Sequence, residues 1–97
     1  QQATKGDSGR AARTLYGGHD KTLRQTIITL RAGHELREHE SPGEATLLVL
    51  QGEIRIGAGT EILEGRKGDL ITIPPARHNL AAVTDAVVIL SVAVAIT

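Results

Sequence analysis

The chemistry this chain can offer rests chiefly on its histidines. None of its 97 residues is a cysteine, which excludes disulfides, thiolate nucleophiles and zinc-thiolate sites. No nucleophile-and-base arrangement, phosphate loop or catalytic triad pattern is present. Of the four histidines, His39 and His78 fall on candidate strands, whereas His19 after Gly17-Gly18 and His34 after Gly33 read as turn residues in solvent. Strand residues two apart share a face, so His39 groups with Ser41, and Ala45 with Leu47 and Val49. A divalent first-row metal needs three or four N or O donors converging at about 2.0–2.2 Å. His39 and His78 are strong donors, the Ser41 hydroxyl is a poor one, and the Ala45 methyl is none. Glu44 completes a two-histidine, one-carboxylate set if a bulge after Pro42-Gly43 rotates it inward. On a regular strand it is instead a solvated rim carboxylate, and the imidazoles hydrogen-bond Ser41 or water. Arg37 shares parity with His39 and can reach an anionic ligand at the pocket mouth, yet among Glu35, Glu38 and Glu40 it reads as a surface arginine. Gln25 lies on a segment whose parity is ambiguous, because Leu23, Ile27, Ile28 and Leu30 make both faces partly apolar.

The elements that must position these residues are strands. Apolar and β-branched runs recur between turn residues: Leu23 to Leu30, Glu35 to Glu40, Ala45 to Leu50, Glu53 to Ile56, Thr60 to Leu63, Leu70 to Ile73, Asn79 to Val83 and Val87 to Ile96. The intervening turns include Ser41-Pro42-Gly43, Gln51-Gly52, Gly57-Ala58-Gly59 and Arg66-Lys67-Gly68-Asp69. No window carries a helical 3.6-residue period with capping signals. So many short strands in one short chain predict a closed all-β jelly roll. Residues 1–12 mix polar and charged types without periodicity and read as a loose arm; the barrel domain is expected over 13–97, with order beginning near Arg13 to Tyr16.

Ninety-seven residues hold one core. Tyr16 is the sole aromatic, so Val, Ile, Leu and Ala must fill that core, and no ring-stacking platform is available for a flat aromatic ligand. Thr46 to Leu50 and Val87 to Ala95 are apolar on both parities, which calls for cover on the outer face and predicts a homodimer. Eleven basic and eleven acidic residues cancel, giving no field to attract nucleic acid or an anionic membrane. The longest apolar run, Ala86 to Ile96, is far short of the roughly 20 residues that cross a bilayer. Together with the absence of cysteine, this fits a cytoplasmic protein.

The stretch GHELREHESPGEATLLVLQG, Gly33 to Gly52, resembles the first motif of the cupin family: Gly, five residues, His-x-His, three or four residues, Glu, six residues, Gly. Gly33, His39 and Gly52 stand at the first Gly, first His and closing Gly. GDLITIPPARH, Gly68 to His78, resembles the second motif, with Gly-Asp opening a turn, an apolar strand, Pro and then His. With the hairpin between them these motifs cover about half the chain. The resemblance implies a single-domain cupin-type jelly-roll barrel whose pocket lies between the strands of His39 and His78. Ser41 stands where the family has its second His, and Ala45 where it has the metal-binding Glu. The second motif is one residue short, without its Gly, and Ala82 replaces the Asn that follows the His.

These residues imply a small-molecule binding or accessory module. Its pocket would be formed by His39, Ser41, Ala45, Leu47, Val49 and His78, with no metal or a weakly held Zn, Ni, Fe or Mn. The alternative is a dioxygenase- or isomerase-like enzyme whose metal sits on His39, His78 and Glu44.

Overall fold

The computed structural model describes residues 9–39, 44–73 and 78–94; the side chains of residues 37–39 fall outside that description. Nine strands follow in chain order: β1 (Arg10–Tyr16), β2 (Leu23–Leu30), β3 (Glu35–His39), β4 (Glu44–Gln51), β5 (Glu53–Ala58), β6 (Glu61–Arg66), β7 (Leu70–Thr72), β8 (His78–Ala82) and β9 (Ala86–Ala93). They form a five-stranded sheet, ordered β1-β2-β9-β4-β7, and a four-stranded sheet, ordered β3-β8-β5-β6. All pairings are antiparallel. This is the expected all-β jelly roll. Among the described residues no helix is long and apolar enough to cross a membrane.

Period-two alternation explains why the sheets meet face to face. Ala45, Leu47 and Val49 of β4, Ile54, Ile56 and Ala58 of β5, and Leu80 and Ala82 of β8 are all buried, while the residues between them are half-buried or exposed. Ile28, Leu30, Ala86 and Val88 complete a wholly aliphatic core. Burying each Leu, Ile or Val side chain contributes roughly 1.5–3 kcal/mol. Gly65 of β6 packs directly against the facing sheet: a Cβ there would lie 2.5 Å from Ile71 Cδ1 and 3.2 Å from Val49 Cγ2.

One end of the barrel is sealed by polar turns. The Glu53 amide donates to Thr84 Oγ1 at 3.0 Å, and the Ala32 amide donates to Asp85 Oδ1 at 2.8 Å. These bonds tie together the β4–β5, β8–β9 and β2–β3 connections. Gly52 is required here: its φ is +85°, and a Cβ would run into the Asp85 carbonyl. His78, at the start of β8, lies at the opposite end.

Strand limits differ from expectation at β1, β5 and β6, the last running to Arg66 instead of ending at Leu63. β1 begins at Arg10, inside the segment that reads as a loose arm, because Arg10 to Ala12 pair with Leu30 to Ile28; residues 1–8 lie outside the described residues. Gly57 and Ala58 belong to β5 instead of a turn. Ala58 keeps the inward parity of Ile54 and Ile56, and the Gly57 amide donates to Asn79 Oδ1 at 2.9 Å.

Candidate functional site

The site grows from the row of β8. His78 is 6% exposed and is the Cα partner of His39 on β3 and of Ala58 on β5. One pair further in, Leu80 is matched with Leu36 and Ile56. The facing sheet contributes Ile28, Leu47 and Leu90, so the imidazole is the polar element of an otherwise aliphatic cavity. That cavity measures ≈ 20 Å³, room for about one water. No buried side-chain nitrogen or oxygen among the described residues lacks a hydrogen-bond partner.

The partnership of His39 with His78 depends on an irregularity. Leu36 pairs with Leu80, yet His39, three residues on, pairs with His78, two residues back, so β3 carries one extra residue. A regular ladder would have put Glu38 opposite His78.

Ala45 is 7% exposed and is the Cα partner of Val92, a residue packed on the core. Its methyl therefore belongs to the barrel interior, together with Leu47 and Val49 as their shared parity requires. Glu44 does not join them. It is exposed and paired with Ala93, and the β4–β9 register runs without a shift from Glu44 to Val49. Among the described residues no register shift falls beside Glu44; the irregularity in β4 falls between Val49 and Gln51. Ser41 lies outside the described residues, as do the side chains of His39 and Arg37.

Gln25 does not face the interior. Its amide Nε2 donates to Ser91 Oγ at 3.1 Å on the outer face of the five-stranded sheet, where Gln25 and Ser91 are Cα partners. His19 and His34 are exposed, as turn residues should be. Sequence reasoning passed over Arg24 and Thr26, which share the inward parity of Ile28 and Leu30. The signal lay in that parity, blurred by the apolar Leu23 and Ile27 on the other face.

No family model and no curated protein matches the chain. Solved structures do. A conserved protein of unknown function from Streptococcus pyogenes is 28% identical, with a TM-score of 0.81 over 92% of this chain and 78% of the other. An RmlC-like cupin from Desulfovibrio desulfuricans is 25% identical, with a TM-score of 0.75 over 87% and 81%. Salicylate 1,2-dioxygenase from Pseudoaminobacter salicylatoxidans, solved with gentisate, is also 25% identical. It has a TM-score of 0.78 over 88% of this chain but 25% of its own.

A dioxygenase among these neighbours makes a metal plausible for the fold, but the described residues of this chain do not fit one. Ala45 presents a methyl where the resemblance puts the ligand carboxylate, and Glu44 points away. Among the described residues no three His, Cys, Asp or Glu side chains come together. What the aliphatic strands, the two motifs and the solved neighbours establish jointly is the architecture: the chain folds as a small, single cupin domain.

Proposed function

We propose that this cupin domain is a small-molecule binding or accessory module that works without a resident metal. The observation that carries the reading is the pair Ala45 and Glu44: the inward residue has no donor, and the neighbouring carboxylate is turned to solvent. Two imidazoles with a hydroxyl make a weak site for a divalent ion. The cavity at His78 has room for about one water, so a ligand with an apolar part and one hydrogen-bonding group would lie chiefly in the space that opens from it. Ile28 and Leu36 border both that cavity and a wider groove beside β1, which gives a ligand a way in. Balanced charge and the lack of cysteine support a cytoplasmic setting, and the apolar outer face of the larger sheet supports a homodimer.

A second reading, a dioxygenase- or isomerase-like enzyme with its metal on His39 and His78, has the Cα pairing of those two residues in its favour.

Thermal melting separates the two. Protein purified without a histidine tag should melt at the same temperature with and without a chelator, and zinc, nickel or ferrous iron should raise its stability very little. A melting temperature that falls with chelator and recovers with one added metal would replace the binder with the enzyme.

A further inference from the structure

β1 is exposed over nearly its whole length, although all of it but Leu15, at a bulge, pairs with β2. Its inner face is therefore the roof of a groove and adds little to the core. At one end of the groove Ala12, the Cα partner of Ile28, looks across to Leu36 of β3, leaving an open space of ≈ 340 Å³. One inward pair further along, Thr14 is matched with Thr26, and there a second space of ≈ 330 Å³ is lined also by Tyr16, His19 and Arg24. The two spaces follow consecutive inward pairs of the same two strands and so lie side by side along β1 as a trough, although no residue lines both; the first part is mainly apolar but has Arg10 at its border, and the second is polar. The apolar end shares Ile28 and Leu36 with the cavity at His78. Thr26 of the polar end is the Cα partner of Leu90, which lines that cavity.

The polar end is built of donors. Arg24 is half-buried, and its Nε donates to the Lys21 carbonyl at 3.4 Å. Among the described residues no carboxylate pairs with it; the ion pairs there are Arg55–Glu64 and Arg66–Glu53. Asp20 sits against Gly18 and does not line the trough. A half-buried guanidinium without a carboxylate, flanked by the Thr14, Thr26 and Tyr16 hydroxyls, matches the planar two-oxygen geometry of an incoming carboxylate. Gly17 packs against the base of the Arg24 side chain: a Cβ there would come within 3.1 Å of the Arg24 Cγ and 3.2 Å of its Cα.

We infer that this trough binds a small aliphatic carboxylate, its head group on Arg24, Thr14 and Thr26 and its tail along Ala12, Ile28 and Leu36. This rests on the small-molecule reading above and names the ligand class. The apolar end favours a carboxylate with a tail over free phosphate, and the unpaired guanidinium favours an anion over an alcohol.

The test is an NMR titration of amide- and methyl-labelled protein with hexanoate, hexan-1-ol and inorganic phosphate. It is run on the wild type, Arg24→Gln and Arg24→Lys, with sedimentation of each protein alongside. Hexanoate should shift the Gly17 and Gly18 amides and the Ile28 and Leu36 methyls along one saturation curve. Arg24→Gln should weaken hexanoate about tenfold, a loss of about 1.4 kcal/mol, and leave hexanol unchanged. Arg24→Lys, which keeps the charge but loses the fork, should recover part of that loss. Equal hexanoate affinity in wild type and Arg24→Gln overturns the carboxylate assignment while sparing the small-molecule reading. Silence of the methyls to both hexanoate and hexanol removes that reading itself. Phosphate shifting the glycines as strongly as hexanoate does overturns the role of the tail. A dimer that hexanoate or Arg24→Gln takes apart assigns the trough to a second copy of the chain, also against the inference.

Discussion

His39 of β3 and His78 of β8 are Cα partners only because β3 carries one residue more than β8 between Leu36 and His39. The same two strands in regular register would pair His78 with Glu38, so a local bulge decides which residue is the Cα partner of His78. The backbone thus brings the two histidine positions opposite one another, while the inward residue Ala45 offers no donor.

That division predicts a gain of function. Replacing Ala45 by Glu and Ser41 by His puts donors back at the positions where the cupin resemblance expects them, and the Ser41→His/Ala45→Glu double variant should bind zinc with one-to-one stoichiometry by calorimetry. Each single variant should bind more weakly. A double variant that folds yet binds no better than the wild type would mean that Ala45 does not occupy the ligand position.

The outer face of the larger sheet should hold two chains together. Ile27, Ile89, Leu48 and Leu70 are successive Cα partners across β2, β9, β4 and β7, an apolar row with Leu70 66% exposed. The row meets a charge only at its β1 end, where Arg13 is the Cα partner of Ile27, and the adjacent row of Gln25, Ser91, Thr46 and Thr72 is polar but neutral. Covering such a row in a second copy removes apolar area from water at about 25 cal/mol per Å². Sedimentation at micromolar concentration should give a dimer, and Ile89→Glu should weaken it at least about tenfold, since a carboxylate would be buried without a partner. A wild type that sediments as a monomer contradicts the argument.

Gly52 and Gly68 should respond unequally to substitution. Both adopt positive φ, +85° and +93°, but a Cβ on Gly52 meets the Asp85 carbonyl and lies 2.9 Å from the Ala86 Cα, whereas nothing lies within 4 Å of one on Gly68. Gly68→Val should therefore cost only the backbone strain, about 1–2 kcal/mol. Gly52→Val adds displacement of the β8–β9 turn and should cost about 3 kcal/mol or more. Denaturant unfolding of the two variants checks the order; equal losses would mean that the sealed end of the barrel yields more readily than its hydrogen bonds suggest.

Much of the fold is legible in the residues because strand periodicity and turn chemistry are local. β2 falls on Leu23–Leu30 as the pattern requires, and the glycines that punctuate the motifs, Gly33, Gly52 and Gly68, all take positive φ. The site is less legible because facing direction depends on register, which is set by partners distant in sequence. Glu44 is one residue from an interior position, and nothing in Pro42-Gly43-Glu44 says whether a bulge follows; the pairing with Ala93 decides it. Gln25 is turned outward by β9 through Ser91, and Arg24 is thereby turned inward. Gly57 and Ala58 read as a turn from composition, but a ladder partner on β8 extends the strand through them.

The central claim is that His39 and His78 hold no shared ion, and elemental analysis of untagged protein purified without added metal tests it most directly. The account predicts well under one zinc, nickel, iron or manganese per chain, unchanged in His39→Ala and His78→Ala. One tightly held ion per chain, lost in both variants, would contradict it.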